Sequence, residues 1–394
     1  MNVGSGHSIL RASSTRGEYP SCSDKKGASV TSAWLHPTLE RGKLLPDQPA
    51  GGARVVGGDF PSDVVLCPSC RGQLADQRCV DCGEVFRSTL GVLDLRWPKP
   101  SQDEVERDQD LISELLAKFD RCSFQELCEL VRLHHLGNLS EEVATHLGRR
   151  AFNQEQIGQR MIDMFNSRLS KYYVIPDKRL ALDIGCGYGT ATGILAKQFH
   201  HVIGLDSYLP VLLLARKLLG DCGANNVLLI QAYAQNIPIR DGCVDYAIAQ
   251  NVIEHLIDVE TALHEIERIL SKGGCFCGDS RNRFDLFFPE PHVRLRWVGL
   301  LPRRFQPWYV RKLKGLSYAD WHVCLQSWWG LRRSAQRAFG PSARIVLPLV
   351  SAYGYAPNVD RGVEWLDEVP ILRDLVLLVF PSHLLVAQSE GPAP

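Results

Sequence analysis

The sequence lacks any long apolar run and any imbalance of charge. Its longest late apolar run, LVLLVF, has the length of a strand, whereas a membrane-spanning helix needs about 20 apolar residues. Among the 394 residues, Lys plus Arg and Asp plus Glu both number 44, so no global field attracts the chain to nucleic acid or anionic lipid. The N-terminus has no apolar core of the signal-peptide type. We therefore expect a cytoplasmic protein. Peripheral contact of this protein with a membrane would need a local patch of charge.

We expect no disulfide framework, and the sequence has no internal repeat. Four of the 13 cysteines form two C-x-x-C pairs, and most of the others stand singly in apolar runs. This usage is typical of a reduced, metal-binding chain. The apolar content of 45% is sufficient to bury a core, and the length allows two or three domains.

The spacing of apolar residues divides the chain into segments. The first 60 residues are rich in Gly, Ser and Arg without any period, which predicts a disordered tail. Beyond the cysteines, helical steps of three and four residues give way to short apolar runs that alternate with helices. We predict a tail over 1–60, a zinc-ribbon-like module over 61–98, a helical lid or linker over 99–173, a core with a cofactor site over 174–285, a basic and aromatic insertion over 286–340, and C-terminal strands over 341–390.

The alternation of strands and helices predicts an α/β fold, in which helices cover both faces of a parallel sheet. Near the C-terminus, ARIVLPLV and HLLVAQ are predicted to pair as an antiparallel edge, which makes the sheet mixed.

The stretch LDIGCGYGT, residues 182–190, predicts a ligand-binding turn. A dinucleotide fingerprint G-x-G-x-x-G would need glycine at Thr190, and the observed glycines are Gly185, Gly187 and Gly189. The preceding Asp183 would repel a pyrophosphate but suits a ligand that carries ammonium and sulfonium charge. S-adenosylmethionine carries both. The alternative is an ordinary strand–helix turn.

Further candidates lie where the next strands end, since ligands of open α/β sheets bind at the carboxyl ends of parallel strands. Asp206 closes the run HVIGLD and is placed to accept from two ribose hydroxyls. The other candidates at strand ends are Ser207, Tyr233, Ala234, Gln250 and Asn251.

Residues 180–282 resemble class I S-adenosylmethionine-dependent methyltransferases, in particular the group of ubiquinone and menaquinone biosynthesis enzymes. The matching stretches are LDIGCGYGT, VIGLDSYLPVLLLARK, AQNIPIRDGCVDYAIAQNVIEHL and EIERILSKGG. The resemblance implies a Rossmann-like, seven-stranded mixed sheet, in which the loop from Gly185 through Cys186 to Gly189 holds the cofactor. It implies that Asp183 and Gly185 lie along the methionine portion and that Asp206 binds the ribose. Many relatives have an acid where Tyr233 stands, so stacking or a hydroxyl contact would replace that acid, with the Ala234 N–H reaching the adenine.

The quartet Cys67, Cys70, Cys79 and Cys82 predicts a closed tetrahedral zinc site, because two C-x-x-C knuckles supply four thiolates. Such a zinc is structural and replaces a core too small to fold alone. A redox C-x-x-C is the alternative, but its βαβ context is missing. The following GEVFRSTLGVLDLR resembles small zinc ribbons found beside bacterial methyltransferases.

Residues 291–340 contain ten Arg or Lys and a single acid, Asp320, together with the tryptophans Trp297, Trp308, Trp321, Trp328 and Trp329. This composition suits an anionic substrate or an anionic lipid surface. The alternative is a solvated basic face with its tryptophans in the core.

The stretch RNRFDLFFPEPHVRLRWVGLLPRRF resembles, more loosely, methyltransferases of surface polysaccharide and glycolipid synthesis, which implies that Glu290 and His292 face the acceptor. A hydroxyl acceptor must lose a proton, which His292 or His255 can take near neutral pH. For His255, in IEHL, the alternative is a structural role at a helix start.

Three functions follow. The first is O-methylation of a small-molecule, glycan or lipid-linked anionic acceptor by a cytoplasmic enzyme. The second is methylation of RNA, since ribosomal guanine methyltransferases with an N-terminal zinc ribbon exist; the neutral net charge disfavours it. The third is a non-catalytic S-adenosylmethionine-binding or partner module.

Overall fold

The computed structural model describes residues 63–136, 154–316, 318, 323–354 and 357–391. The predicted tail over 1–60, part of the helical lid, and Asp320 and Trp321 of the insertion lie outside the described residues. Within the described part, no helix combines the length and the apolar character needed to cross a bilayer.

Eleven strands are described. They are β1 (Leu74–Ala75), β2 (Arg78–Cys79), β3 (Ser88–Thr89), β4 (Val92–Asp94), β5 (Leu180–Ile184), β6 (His201–Asp206), β7 (Val227–Gln231), β8 (Val244–Ala249), β9 (Leu270–Arg281), β10 (Arg344–Val346) and β11 (Ser382–Gln388).

Eleven α-helices are described. They are α1 (Gln102–Arg107), α2 (Gln109–Lys118), α3 (Phe124–Leu136), α4 (Gln154–Leu169), α5 (Thr190–Ala196), α6 (Leu209–Asp221), α7 (Val259–Ile269), α8 (Gln306–Lys314), α9 (Trp328–Phe339), α10 (Asp360–Glu368) and α11 (Pro370–Leu377).

The central sheet has the strand order β10-β11-β9-β8-β5-β6-β7-β4-β3. The stretch from β9 through β7 is parallel, and β11 runs antiparallel to both of its neighbours. The predicted antiparallel edge of ARIVLPLV and HLLVAQ is confirmed by the register of Ile345 with Leu385. The seven strands from β5 to β11 therefore form the mixed sheet expected for the class I fold.

The cysteine segment contributes to this same sheet. Its strand β4 pairs in parallel with β7, with Leu93 opposite Ile230, and β3 adds an antiparallel edge. Cys67 and Phe86 of this segment are buried in the same apolar cluster as Leu182 of β5. The sequence predicts a small zinc-ribbon-like module and leaves open what it contacts. In the structure, strand pairing and burial make this segment continuous with the main core.

Buried side chains alternate between the two faces of the sheet, as the two-residue period of a strand requires. Ala181 faces the cluster that contains Met161 and Phe165 of α4. Its neighbour Leu182 faces the opposite cluster, which contains residues of α7 and α9. Strands this completely buried read as continuous apolar runs in the sequence because both of their faces are covered.

The segment predicted as a lid divides into two packing units. Helices α2 and α3 pack on Leu213 and Leu214 of α6, and Tyr188 of the glycine loop lies against that cluster. Helix α4 instead belongs to the core beside α5, where a Cβ at Gly158 would come within 2.8 Å of Thr190 Cγ2. Among the described helices of this segment, α2 and α3 thus lie beside Tyr188 of the loop, and α4 lies beside Thr190 at its end.

Candidate functional site

The glycine loop joins β5 to α5 and needs glycine at each of its three glycine positions. Gly185, Gly187 and Gly189 have φ values of +65°, +50° and +79°, a region that favours glycine. A Cβ on Gly185 would lie 2.3 Å from Cγ2 of Val252, and one on Gly189 would lie 2.8 Å from Cβ of Ala215. Beside Gly187 there is open space for at least 4 Å. Backbone exposed in this way can approach a ligand closely, which fits the cradle predicted for S-adenosylmethionine.

Asp206 links the end of β6 to the glycine loop. Its carboxylate accepts from the N–H of Gly187 at 3.0 Å and from the N–H of Tyr208 at 2.9 Å. Burial raises the pKa of Asp206, while these backbone donors and that of Ser207 oppose the shift. Asp206 is partly exposed and Ser207 is exposed, so both are accessible at the strand end, as the ribose prediction requires.

Asp183 and Cys186 are turned into the protein. Asp183 is 1% exposed, and the hydroxyl of Thr192 donates to its carboxylate at 2.6 Å. Burial raises the pKa of Asp183 to about 7, and the charge of Asp206 adds to this while Thr192 opposes it. Cys186 is 8% exposed and packs with Leu212 and other apolar residues. Asp183 therefore organises the loop from behind, and its direct contact with the methionine portion stays a prediction.

Tyr233 follows β7, where the cysteine segment meets the site. The N–H of Leu95 donates to the carbonyl of Gln231 at 2.8 Å, which brings Arg96 beside Tyr233. Two guanidinium nitrogens of Arg96 bind Asp94 at 2.8 and 2.7 Å. Burial raises the pKa of Tyr233, and the positive charge of Arg96 lowers it. A cation from the cysteine segment thus lies near Tyr233.

Gln250 and Asn251 lie directly after β8. Gln250 is partly exposed, and Asn251 has the left-handed φ of +53°, so the chain turns sharply at the sheet edge. The N–H of Asn251 donates to Oδ1 of Asp279 at 2.8 Å, and the hydroxyl of Tyr353 donates to Oδ2 at 3.1 Å. Burial, and next the charge of Glu254, raise the pKa of Asp279 to about 7.

The structure brings the three predicted acid–base residues together. The Nε2 atoms of His292 and His255 are 3.2 Å apart, and their rings meet edge to face with centroids 4.8 Å apart. Nδ1 of His292 contacts Oε1 of Glu290. Oε2 of Glu290 accepts from the N–H groups of His292 and Val293, each at 2.9 Å. Glu290 is 7% exposed, so a buried carboxylate orients the His292 ring.

This cluster lies beside the glycine loop. His255 ends a short 3₁₀ turn over Ile253–His255, and its N–H donates to the carbonyl of Val252 at 2.8 Å. Val252 in turn contacts Gly185. A single 3₁₀ turn of backbone therefore separates His255 from the residue that packs on the loop.

The cysteine quartet converges. The four sulfur atoms lie within 4.8 Å of one another, with Cys67 and Cys82 at 3.7 Å and Cys70 and Cys79 at 3.4 Å. Tetrahedral coordination with zinc–sulfur bonds of about 2.3 Å places sulfurs about 3.8 Å apart. The donor set and its spacing therefore fit the closed site that the sequence predicts.

Three charged residues near the site were not predicted from the sequence: Arg96, Asp279 and Glu254. Arg96 could not be predicted, because it belongs to no motif and lies more than 80 residues before β5 in the chain. Asp279 and Glu254 were detectable, since Asp279 lies near the carboxyl end of β9 and Glu254 precedes His255. The rule that selected Asp206 would also have selected Asp279.

Comparisons with known proteins agree with this geometry. Residues 182–278 match the family model described as a methyltransferase domain. This segment and the mixed sheet around it identify a class I methyltransferase domain.

Three curated relatives illustrate the range of the family. An uncharacterized methyltransferase, YcgJ, of Bacillus subtilis is 28% identical over 36% of this chain and 53% of its own. Its crystal structure covers 58% of this chain and 99% of its own, at 17% identity and a TM-score of 0.37. The ubiquinone/menaquinone biosynthesis C-methyltransferase UbiE of Stutzerimonas stutzeri is 26% identical over 34% of this chain and 62% of its own.

The third relative is the 18S rRNA (guanine-N(7))-methyltransferase bud23 of Schizosaccharomyces pombe, 33% identical over 32% of this chain and 41% of its own. The chain thus spans 41% to 62% of the lengths of these three relatives in sequence. These names include C- and N-methylation, and the acceptor of this chain is therefore a separate question.

Proposed function

We propose that this chain is an S-adenosylmethionine-dependent methyltransferase that methylates a hydroxyl group of an anionic small-molecule, glycan or lipid-linked acceptor. One observation carries the proposal: Glu290, His292 and His255 form a connected acid–base cluster one turn away from the residue that packs on the glycine loop. A hydroxyl must lose its proton as its oxygen takes a methyl group, and an oriented imidazole is the usual acceptor for that proton.

In this proposal the glycine loop and Asp206 hold S-adenosylmethionine, which supplies an electrophilic methyl group. The Glu290 carboxylate keeps the Nδ1 proton on His292, so that Nε2 is the basic nitrogen. With both rings neutral, the two Nε2 atoms share one proton, which is carried by His255. As this hydrogen bond opens, Nε2 of His292 accepts the proton of the acceptor hydroxyl, and the resulting imidazolium is paired with the Glu290 carboxylate. The oxygen–methyl bond forms as the sulfur–methyl bond breaks, and positioning of the two reactants supplies much of the acceleration.

The cysteine quartet is assigned a structural zinc. Four sulfurs leave no open coordination position, so the metal would take no part in methyl transfer. Its proposed function is to hold β4 against β7, and with it Arg96 against Tyr233.

RNA is the second candidate substrate, and the relative that is named as a guanine-N(7) methyltransferase favours it. N7 of guanine has a lone pair and no proton to lose, so its methylation gives no task to a His–His–Glu base. The cluster therefore favours a hydroxyl acceptor. Binding of RNA should fall steeply with rising salt if phosphate contacts dominate.

Calorimetry with S-adenosylmethionine tests the cofactor assignment directly. Incubation of the chain with methyl-labelled cofactor and extracted metabolites, followed by identification of the labelled product, tests the acceptor. Labelled methyl ethers would support the proposal, whereas labelled methyl esters or N-methyl products would contradict a hydroxyl acceptor. Absence of cofactor binding would contradict the enzyme altogether, and binding without transfer would favour a non-catalytic module.

A further inference from the structure

The insertion presents large apolar side chains to solvent. Residues 286–316, all of them described, contain Phe287, Trp297, Phe305, Trp308 and Leu313, which are 55%, 56%, 45%, 64% and 55% exposed. A merely solvated basic face would keep its tryptophans in the core. Here two tryptophans are more than half exposed, and this explanation does not account for them.

Trp297 is unusual in its backbone as well as in its exposure. Its φ is +63°, in the left-handed region, which a bulky residue rarely adopts. The conformation is unfavourable, and the side chain stays more than half exposed. Strain of this kind occurs where a side chain is held for contact with a ligand or a surface.

Hydrogen bonds connect these side chains into one surface. Arg296 donates to the carbonyl of Phe287 at 2.9 Å, and the hydroxyl of Tyr309 donates to the carbonyl of Arg296 at 3.3 Å. These bonds fix the loop that carries Phe287 and Trp297 against α8. In α8, Gln306 and Val310 are buried, whereas Trp308 and Leu313 are more than half exposed. At about 100° per residue these two side chains lie about 140° apart around the helix, and Trp308 is on the side opposite the buried residues.

The charge of this surface has a single sign. Its exposed cations are Arg294, Arg296, Arg303, Arg304, Arg311, Lys312 and Lys314. The only acid among residues 286–316 is Glu290, which is buried and engaged with His292 and Val293. The guanidinium of Arg304 lies 4.8 Å from the centroid of the Phe305 ring, so cations and apolar groups are interleaved.

We propose that this surface, which we call the insertion face, binds a membrane that contains anionic lipids. Interleaved cations and apolar side chains suit the boundary between headgroups and acyl chains, where the cations meet phosphates and the rings and leucines enter the apolar layer. Single-stranded RNA would use the cations and the rings, but exposed leucines such as Leu313 add nothing to base stacking. This inference goes beyond the proposed function, because binding to the membrane requires neither cofactor nor methyl transfer.

Flotation of the full chain with lipid vesicles tests the insertion face. We expect the protein to float with vesicles in which a third of the lipid is phosphatidylglycerol and to stay behind with vesicles of pure phosphatidylcholine. Raising the salt should weaken binding, since the charges are exposed. The double variant Arg303→Ala with Arg304→Ala should lower the partition coefficient about 25-fold, because each cation near an anionic surface contributes about fivefold.

The variant Phe305→Ser with Trp308→Ser should lower partitioning at least as much, since it removes the inserted rings. The matched control, Arg361→Ala with Trp365→Ser, changes an exposed cation and a tryptophan that is 58% exposed on α10, and should float like the wild type. Circular dichroism of each variant checks that it is folded.

Three outcomes would overturn the proposal. They are equal flotation with both lipid compositions, equal loss in the control and the test variants, and binding of a single-stranded RNA that these variants weaken when vesicles are not bound. Because no cofactor is present in the assay, its failure is separate from failure of the methyltransferase proposal.

Discussion

Nε2 of His255 and Nε2 of His292 lie 3.2 Å apart although 37 positions separate the residues in the chain. At this distance one nitrogen donates and the other accepts, so the pair holds a proton between two rings. Glu290 fixes the proton on the far nitrogen of His292. A base that is oriented by a carboxylate and coupled to a second imidazole is an arrangement suited to removing a proton from a hydroxyl.

Replacement of His292 by Asn should lower kcat by about 10²- to 10⁴-fold, the usual contribution of a general base. Affinity for S-adenosylmethionine should not change, since the ring nitrogens of His292 contact Glu290 and His255 rather than a residue assigned to the cofactor. Steady-state kinetics and calorimetry check the two effects. The control is His264→Asn, which changes an exposed histidine of α7. Unchanged kcat in His292→Asn would refute the base assignment.

Replacement of Asp206 by Ala should weaken S-adenosylmethionine binding on the order of tenfold to a hundredfold, because hydrogen bonds to a charged acceptor are lost. The change also removes the carboxylate that holds the Gly187 N–H, so the loop itself should loosen. Calorimetry measures the affinity, with Asp120→Ala, an exposed acid beyond α2, as the control. An unaltered affinity would contradict the ribose assignment.

Tyr233 should act through its ring rather than its hydroxyl. Tyr233→Phe is expected to keep cofactor affinity within about threefold, and Tyr233→Ala to lower it about tenfold, since an aromatic pair contributes about 1 kcal/mol beyond its area. Arg96→Ala should have an intermediate effect, because it removes the positive charge near Tyr233. The three affinities are compared by calorimetry. If Tyr233→Phe weakened binding as much as Tyr233→Ala, the hydroxyl would be the contact instead.

Asp183 should make the ligand-free protein less stable as the pH rises. Its pKa is raised from 3.8 to about 7, so the folded state binds more protons than the unfolded state between these values. The free energy of unfolding then falls as pH increases through that window. Asp183→Asn removes this dependence and keeps a polar partner for Thr192. The difference in Tm between variant and wild type should grow by a few degrees from about pH 4 to about pH 8.

Thermal unfolding across this pH range measures that difference. Because the other buried groups titrate in both proteins, their contributions cancel in the difference. One of them is His383, whose pKa is lowered to about 4 by burial. Asp120→Asn is the exposed control and should show no trend with pH. A constant difference for Asp183→Asn would mean that Asp183 is ionised throughout.

Loss of the zinc site should affect the whole core. The cysteine pattern alone predicts that replacing Cys67 and Cys79 unfolds a small module and leaves the glycine loop intact. Because β4 pairs with β7 and Cys67 is buried with the sheet residues, we expect Cys67→Ser with Cys79→Ser to lower the Tm of the main transition and to weaken cofactor binding.

Metal analysis should find a single zinc ion per wild-type chain and none in the double variant. Cys243→Ser replaces a half-buried free cysteine outside the quartet and is the control for the replacement of a cysteine as such. An unchanged main transition in the zinc-free variant would mean that the cysteine segment folds independently of the core.

Much of the fold was predictable because its signals are local. Alternation of apolar runs with helices predicted the sheet, and both C-terminal runs were placed correctly at its antiparallel edge. The side of the sheet that carries the site followed from the carboxyl ends of parallel strands. The burial of Asp183 could not be predicted, since it depends on Thr192 and on the packing of α5 behind the loop.

The sequence by itself determined the turn that needs three glycines, the alternating strands and the four thiolates, because each is set by spacing between residues that are close in the chain. Tertiary structure alone decided that β4 extends the sheet, that Arg96 reaches Tyr233, and that His255 meets His292. These contacts join distant segments through hydrogen-bond pairing and burial. No local period in the sequence indicates which strand β4 will pair with or which imidazole will meet His255.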